Sequence, residues 1–345
     1  MVKQLLAIDF FCGGGGMTYG MQQAGVKVLA GIDFDINCKE TYEKNNSGAI
    51  FLHKDVTQYP VQDLAKEIKI KRNDDNLIFI GCSPCQYWSI IRSDKTKSQK
   101  SKNLLIIFRK FVEHYKPGYV VIENVPGINK KQEESGLTSF ISWLEENNYD
   151  VHHHIVNLNN YGVPQSRKRF SLIASRVKKI AFPKEQRKKP VVRDFLGEEN
   201  GFIKISAGNR DETNFMHTCS SLSKTNLLRL KKVKKDGGNR LDFADNPKLQ
   251  LKCYAGKDDS FLDNFGRIAW DKPSPTITTK FYSISCGRFA HPEEDRPLSL
   301  REGASLQTFP KSYKFYGSSI AKISRLIGNA VPPKYSKLIG ESILA

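Results

Sequence analysis

One phrase recurs through the first 175 residues and limits the folds open to this chain: a short apolar run, a polar or glycine turn, then an amphipathic segment. The runs are Leu5-Leu6-Ala7-Ile8, Val28-Leu29-Ala30-Gly31-Ile32, Leu77-Ile78-Phe79-Ile80, Tyr119-Val120-Val121-Ile122 and Phe170-Ser171-Leu172-Ile173-Ala174. Runs this short, rich in branched and aromatic residues and bounded by turn signals, fit strands buried on both faces. Helical spacing occupies residues 103–115 and 138–147 between them. Strands alternating with helices predict an α/β fold, a Rossmann-like, doubly wound, mostly parallel sheet.

The residues that follow each run carry chemistry. Asp9 and Phe11 follow the first, Asp33 the second, Cys82-Ser83-Pro84-Cys85 the third and Glu123-Asn124 the fourth. Ligands of open α/β sheets sit outside the carboxyl ends of the strands, so these groups read as one shared site. The Gly13-Gly14-Gly15-Gly16 turn lets a backbone approach a ligand closely. It lacks the GxGxxG spacing of dinucleotide sites, and no Gly-Lys-Ser/Thr follows it as in a triphosphate loop. Asp33-Phe34 offers a carboxylate for a ribose diol and a ring for an adenine, and Asp55 an acceptor for an adenine amino group. Together they point to an adenosine-bearing cofactor without phosphates.

Cys85 stands just past a strand, where a neighbouring loop or helix start lowers a thiol's pKa. Cys82 and Cys85 also match a redox or metal pair, but no second pair of ligands accompanies them, and no metal site is expected. Glu123 is a candidate acid/base partner for the thiol, or a carboxylate satisfying a helix start. On an extended segment Gln165, Arg167 and Arg169 share one face, a pattern suited to carbonyl or phosphate oxygens. His152-His153-His154 opens a strand-like stretch and is expected to alternate in and out.

The 54 Lys and Arg outnumber the 36 Asp and Glu, for a net charge of +18. A polyanionic partner is favoured, nucleic acid ahead of a membrane surface, although charge alone also serves solubility. Residues 176–260 hold half of that excess, lack α/β alternation and read as a smaller, irregular or β-rich domain. Seven scattered cysteines do not form a disulfide framework, and neither a signal peptide nor a membrane span is evident, so a reducing cytoplasm is expected.

Nine landmarks in order now make the chain resemble the DNA cytosine-5 methyltransferases. They are Asp9-x-Phe11-x-Gly13-x-Gly15-Gly16, Asp33, Asp55, Pro84-Cys85-Gln86, Glu123-Asn124-Val125, Gln165-x-Arg167-x-Arg169, Pro273-Ser274-Pro275-Thr276-Ile277-Thr278, the stretch from Arg301 to Pro310, and Gly328-Asn329-Ala330-Val331-Pro332-Pro333. The similarity spans the chain except roughly residues 196–265.

The resemblance implies S-adenosylmethionine as cofactor, held by Phe11, Gly13, Gly15, Gly16, Asp33, Phe34, Asp55, Pro84, Leu104, Asn329 and Val331. It implies Cys85 as a nucleophile toward carbon 6 of a flipped-out cytosine, Glu123 at the ring's N3 and amino group, and Arg167 at the base carbonyl. Residues 1–195 would be the catalytic and cofactor domain, 196–321 a target-recognition domain and hinge, and 322–345 the return to the first. Residues 86–103 would close on DNA as a basic loop. DNA-facing candidates are Gln86, Ser89, Arg92, Lys97, Arg210, Lys224, Arg229, the 231–240 run, Lys252, Lys257 and Arg169, the last also resembling scaffold. Ser83 departs from the more usual Pro. The implied protein is a monomeric bacterial enzyme acting on duplex DNA beside a cognate restriction endonuclease; a tRNA cytosine-5 methyltransferase or a DNA-binding regulator is the alternative.

Overall fold

The apolar runs become neighbouring strands because residues flanked by sheet on both sides must be apolar on both faces. The computed structural model describes residues 4–83, 103–254, 256–257 and 259–345. Its strands are β1 (Leu6–Phe10), β2 (Lys27–Asp33), β3 (Ile50–His53), β4 (Leu77–Gly81), β5 (Tyr119–Asn124), β6 (Asp150–Asn157), β7 (Gln165–Ser166), β8 (Lys168–Ser175) and β9 (Ser274–Pro275). Seven of them form one sheet in the order β3-β2-β1-β4-β5-β8-β6. The five runs mark its internal strands. Its two edges, β3 and β6, are four residues long and histidine-rich respectively, since an edge strand needs less apolar surface.

All pairings from β3 to β5 are parallel, whereas β8 runs antiparallel to both β5 and β6. The ten residues between β6 and β8 are too few for the crossover that parallel neighbours require. On β6, His153 stacks near Phe170 and His154 near Phe182, but exposure does not alternate, because this strand lies at the sheet edge.

By contacts the chain divides into two units. The first comprises residues 1–161, 168–186 and 331–345, and the second residues 162–167 and 187–330. This differs from the expected boundaries at 195/196 and 321/322: residues 187–195 and 322–330 belong with the smaller unit, as does the short excursion at 162–167.

Helices of the first unit include α1 (Gly16–Ala24), α2 (Lys39–Asn45), α3 (Leu64–Glu67), α4 (Leu104–Tyr115), α5 (Gly127–Lys130), α6 (Gln132–Ser135) and α7 (Leu137–Glu146). Leu105, Phe108, Phe111, Val112 and Tyr115 form the buried stripe of α4, at helical spacing. Phe10 lies 5.2 Å from Phe79, 5.2 Å from Phe108 and 5.0 Å from Phe111, ring centre to ring centre.

The second unit contributes α8 (Lys224–Lys232), α9 (Leu300–Leu306) and α10 (Ile320–Asn329), and the first ends on α11 (Pro333–Leu344). Gly20 lies inside α1, where an added Cβ would collide with the Pro333 carbonyl oxygen and the Ser336 side chain. The Ser336 hydroxyl donates to the Met17 carbonyl at 2.5 Å across the same contact.

The second unit is irregular, and among its described residues the sheet content is the two-residue pair β7 and β9. Irregular backbone leaves buried carbonyls to satisfy, and arginine's five N–H donors fill that need. Buried Arg267 donates to the carbonyls of Val233, Leu230, His291 and Glu294. Buried Arg301 donates to those of Phe215, Pro310 and Tyr313. Arg296 grips both oxygens of Glu302 at 2.8 Å. Burial raises the Glu302 carboxyl, but the Arg296 guanidinium outweighs it, and the net shift is far below the usual carboxylate range. No described helix is long and apolar enough to cross a membrane.

Substituting Gly20→Ala is expected to cost about 2 kcal/mol of stability by overpacking α1 against α11, despite alanine's better helix propensity. Denaturant unfolding checks this; an unchanged midpoint and slope would mean that the two helices have room to spare.

Candidate functional site

In the sheet order β3-β2-β1-β4-β5 the carboxyl ends of five parallel strands line up on one edge of the first unit. Asp9 lies in β1 near its end, fully buried. Its Oδ2 accepts from the Thr18 hydroxyl at 2.7 Å, while Oδ1 is buried with no hydrogen-bond partner among the described residues. Beyond it Phe11, Gly13 and Gly15 take φ of +62°, +51° and +86°, the left-handed region. For phenylalanine that conformation is strained, and such strain marks functional turns.

Gly13 N–H donates to Asp33 Oδ2 at 2.9 Å, and Asp35 N–H to Asp33 Oδ1 at 2.9 Å. The carboxylate at the end of β2 is thereby fixed beside the glycine turn. Phe34 follows with 58% of its surface exposed, a large apolar ring open to stacking. Asp55, past β3, is exposed, and its Oδ1 accepts from the Thr57 N–H at 2.9 Å and hydroxyl at 2.7 Å. A Cβ built on Gly13 meets no described atom within 4 Å, so among the described residues the turn is open to close approach. These features fit an adenosine-bearing cofactor: a carboxylate for the ribose, an exposed ring for the base and backbone that a ligand can approach.

Other expected cofactor residues are placed separately. Gly16 begins α1, and Leu104 begins α4, partly buried against the core. Asn329 is exposed at the end of α10 in the second unit, and Val331 is buried in the first. Pro84, Cys85, Gln86, Ser89, Arg92 and Lys97, with the rest of the expected closing loop up to residue 102, lie outside the described residues.

The approach to residue 84 is described. Cys82 is half-buried, and burial, then the Asp9 and Glu123 carboxyls, push its thiol well above the ordinary range. A thiol so raised stays protonated and unreactive, which argues against Cys82 as the nucleophile. Asn124, 1% exposed, donates through Nδ2 to the Ser83 hydroxyl at 2.9 Å and carbonyl at 3.2 Å. The sequence reading missed this anchor, and its one signal was an amide directly after Glu123 at a strand end.

Glu123 is buried at the end of β5, and Arg169 Nε forms an ion pair with its Oε1 at 3.0 Å. The antiparallel β8 delivers that cation: its first residues lie beside the last residues of β5, with Asn124 opposite Phe170. Arg169 is therefore drawn inward onto Glu123, which corrects its assignment to a DNA-facing surface.

Arg167 is corrected as well. It is 2% exposed, and its guanidinium donates to the carbonyls of Ile277, Gly328 and Ala330 at 3.1–3.4 Å. Its contacts are those of a brace, not of a group presented to a base. Gln165 binds Leu306 O at 2.9 Å and Gln307 Oε1 at 2.7 Å, so this residue and Arg167 build the second unit while Arg169 belongs to the first.

Among the surface candidates, Arg210, Lys224, Lys252 and Lys257 are exposed. Arg229 instead donates to Leu249 O at 2.7 Å and Asn226 Oδ1 at 2.8 Å. Arg240, within the 231–240 run, is buried on the carbonyls of Lys257, Ser260 and Phe261. Both arginines hold the irregular backbone, so neither is a free phosphate contact.

Desolvation lifts the Asp9 carboxyl to about 7, against the hydrogen bond from Thr18, which lowers it. A carboxyl raised in the folded state stabilises fully below its unfolded value of about 4 and loses that contribution as pH climbs through the folded value. Relative to Asp9→Asn, the wild-type protein is expected to lose stability from about pH 4 to about pH 7. Thermal melts of both proteins across that window test it; parallel pH dependences would show that Asp9 does not titrate there.

The C-5 cytosine-specific DNA methylase family matches residues 5–345. The type II methylase M.HgiDII of Herpetosiphon aurantiacus is 36% identical, over 97% of this chain and 94% of that protein. The type II methyltransferase M1.HphI of Haemophilus parahaemolyticus is 29% identical, over 99% of this chain and 87% of its own length. A solved structure of a protein encoded within an E. coli prophage shares the fold, with a TM-score of 0.75 at 20% identity and 99% of both chains covered. With the matched family running almost from end to end, this chain belongs to the C-5 cytosine-specific DNA methylases and is a cytosine-5 DNA methyltransferase that uses S-adenosylmethionine as its methyl donor.

Proposed function

We propose that the carboxyl edge of the first unit performs the transfer through Cys85, Glu123 and Arg169, and that the paired Glu123 and Arg169 are the observation that carries this reading. Carbon 5 of cytosine is a poor nucleophile. Addition of the Cys85 thiolate to carbon 6 makes the ring an enamine whose electron pair is available at carbon 5. Glu123, in its protonated form, donates its proton to N3 as the thiolate adds, which neutralises the negative charge pushed into the ring, and its other oxygen accepts from the exocyclic amino group. Arg169 orients Glu123 and takes the contact to the base carbonyl that the family resemblance implied for Arg167.

When bound, S-adenosylmethionine supplies an electrophilic methyl group, and Phe11, Gly13, Asp33, Phe34 and Asp55 would hold its adenosine. Loss of the carbon 5 proton then lets Cys85 leave as thiolate and restores the aromatic ring. A stacked base does not expose carbon 6 to a thiolate, so the target cytosine is flipped out of the duplex.

Residues 196–321 read the target sequence in this proposal, with exposed Arg210, Lys224 and Lys252 as phosphate contacts. The type II names of the two relatives support a restriction-modification role, for a monomer in the bacterial cytoplasm beside an endonuclease of the same specificity.

On duplex DNA carrying 5-fluorocytosine, the wild type is expected to form a covalent adduct that Cys85→Ser abolishes. Glu123→Gln is expected to lower kcat by about a hundredfold or more. An adduct persisting in Cys85→Ser would remove Cys85 as nucleophile. Bisulfite sequencing of DNA from expressing cells identifies the methylated site.

The two arginines are expected to part company. Arg169→Ala lowers kcat at least about tenfold, measured where the variant is still folded, and also lowers the melting temperature because buried Glu123 loses its cation. Arg167→Ala strands buried carbonyls and costs about 3 kcal/mol of stability. The kcat of each variant below its own melting temperature distinguishes them: a kcat kept in Arg169→Ala and lost in folded Arg167→Ala would return the base contact to Arg167.

A further inference from the structure

We infer that the Ser83 hydroxyl is a positioning residue for the methyl transfer, fixing the chain that leads into Cys85 through its bond to Asn124. The inference rests on the proposed role of Cys85.

The ladder between β4 and β5 ends at the pair Gly81 and Ile122. On the β1 side one further bond, from Cys82 N–H to Phe10 O at 3.3 Å, extends the backbone pairing. Past it, Pro84 has no N–H to continue a ladder. Side-chain bonds take over at this point. Asn124 Nδ2 binds both the carbonyl oxygen and the hydroxyl of Ser83. Its amide cannot simply turn over, because Asn124 Oδ1 accepts from the Val125 N–H at 2.8 Å. Both residues are buried, Ser83 at 8% exposure and Asn124 at 1%, so water does not readily substitute for either bond.

Holding the Ser83 oxygen holds a plane. The Ser83–Pro84 peptide is planar, so fixing its carbonyl oxygen and the Ser83 side chain orients the bond from which Cys85 follows. A residue before proline is already restricted to extended backbone, which leaves little freedom once the hydroxyl is tied. The family pattern more often has proline where Ser83 stands; here a hydroxyl supplies by hydrogen bonding the rigidity that a ring supplies covalently. Ser83 touches neither base nor cofactor in this account. It acts through the placement of Cys85.

The test uses the full-length enzyme with 5-fluorocytosine duplex and S-adenosylmethionine, reading the single-turnover rate of adduct formation. Ser83→Ala is expected to slow the adduct by about tenfold, with dissociation constants for DNA and cofactor within about twofold of wild type. Ser83→Thr, which keeps the hydroxyl, is expected to restore a rate close to wild type. A Ser83→Ala rate equal to wild type overturns the inference. So does a loss that falls equally on DNA affinity, cofactor affinity and melting temperature, or a Ser83→Thr rate as slow as Ser83→Ala. Cys85→Ser, run alongside, separates the two readings: an adduct surviving there defeats the role of Cys85 itself, whatever Ser83 does.

Discussion

Parallel pairing of β3, β2, β1, β4 and β5 is the constraint on which the first unit depends, because it brings five carboxyl ends to one edge. Each end contributes a different group: the strained turn from Phe11 to Gly15, the clamped Asp33, the exposed Asp55, the approach to Cys85, and Glu123. The one strand that breaks the pattern adds what the parallel strands cannot. Because β8 runs the other way, its beginning reaches the same edge and sets Arg169 against Glu123.

The distribution of positive charge has two physical meanings. Arginines such as Arg167, Arg240, Arg267, Arg296 and Arg301 are buried in the second unit, where they satisfy carbonyls or carboxylates that a regular sheet would leave to its own ladder. Among the described lysines of that unit all but Lys314 are exposed. A guanidinium is flat and more weakly hydrated, so it goes inside and shares its donors; an ammonium keeps its hydration and stays out. The excess of +18 therefore overstates the charge available to a polyanion.

Internal strands were legible because burial on both faces demands continuous apolar runs, and those runs stood out at 28–32, 77–80 and 119–122. The edges β3 and β6 carried weaker signals for the opposite reason. The glycine turn after β1 was legible too, since consecutive glycines directly after an apolar run end a strand and supply the left-handed backbone seen at Gly13 and Gly15. Asn124 was not, since an asparagine after a strand reads as a turn until Ser83 is seen to receive both its donors.

Gln165, Arg167 and Arg169 mark the limit most clearly. Alternation put all three on one face, because side-chain period is a local property of extended backbone, and the structure buries Gln165 and Arg167 and partly buries Arg169 while Ser166 and Lys168 are exposed. Which interior each enters depends on where the chain crosses from one unit to the other, between Arg167 and Lys168. By itself the sequence determined the strand grammar, the order of the chemical groups and the family they point to, all of which follow from neighbouring residues. Only the tertiary structure decided that Arg169 meets Glu123 and that Arg167 is a brace, because those partners are set by strand direction and by carbonyls more than a hundred residues away.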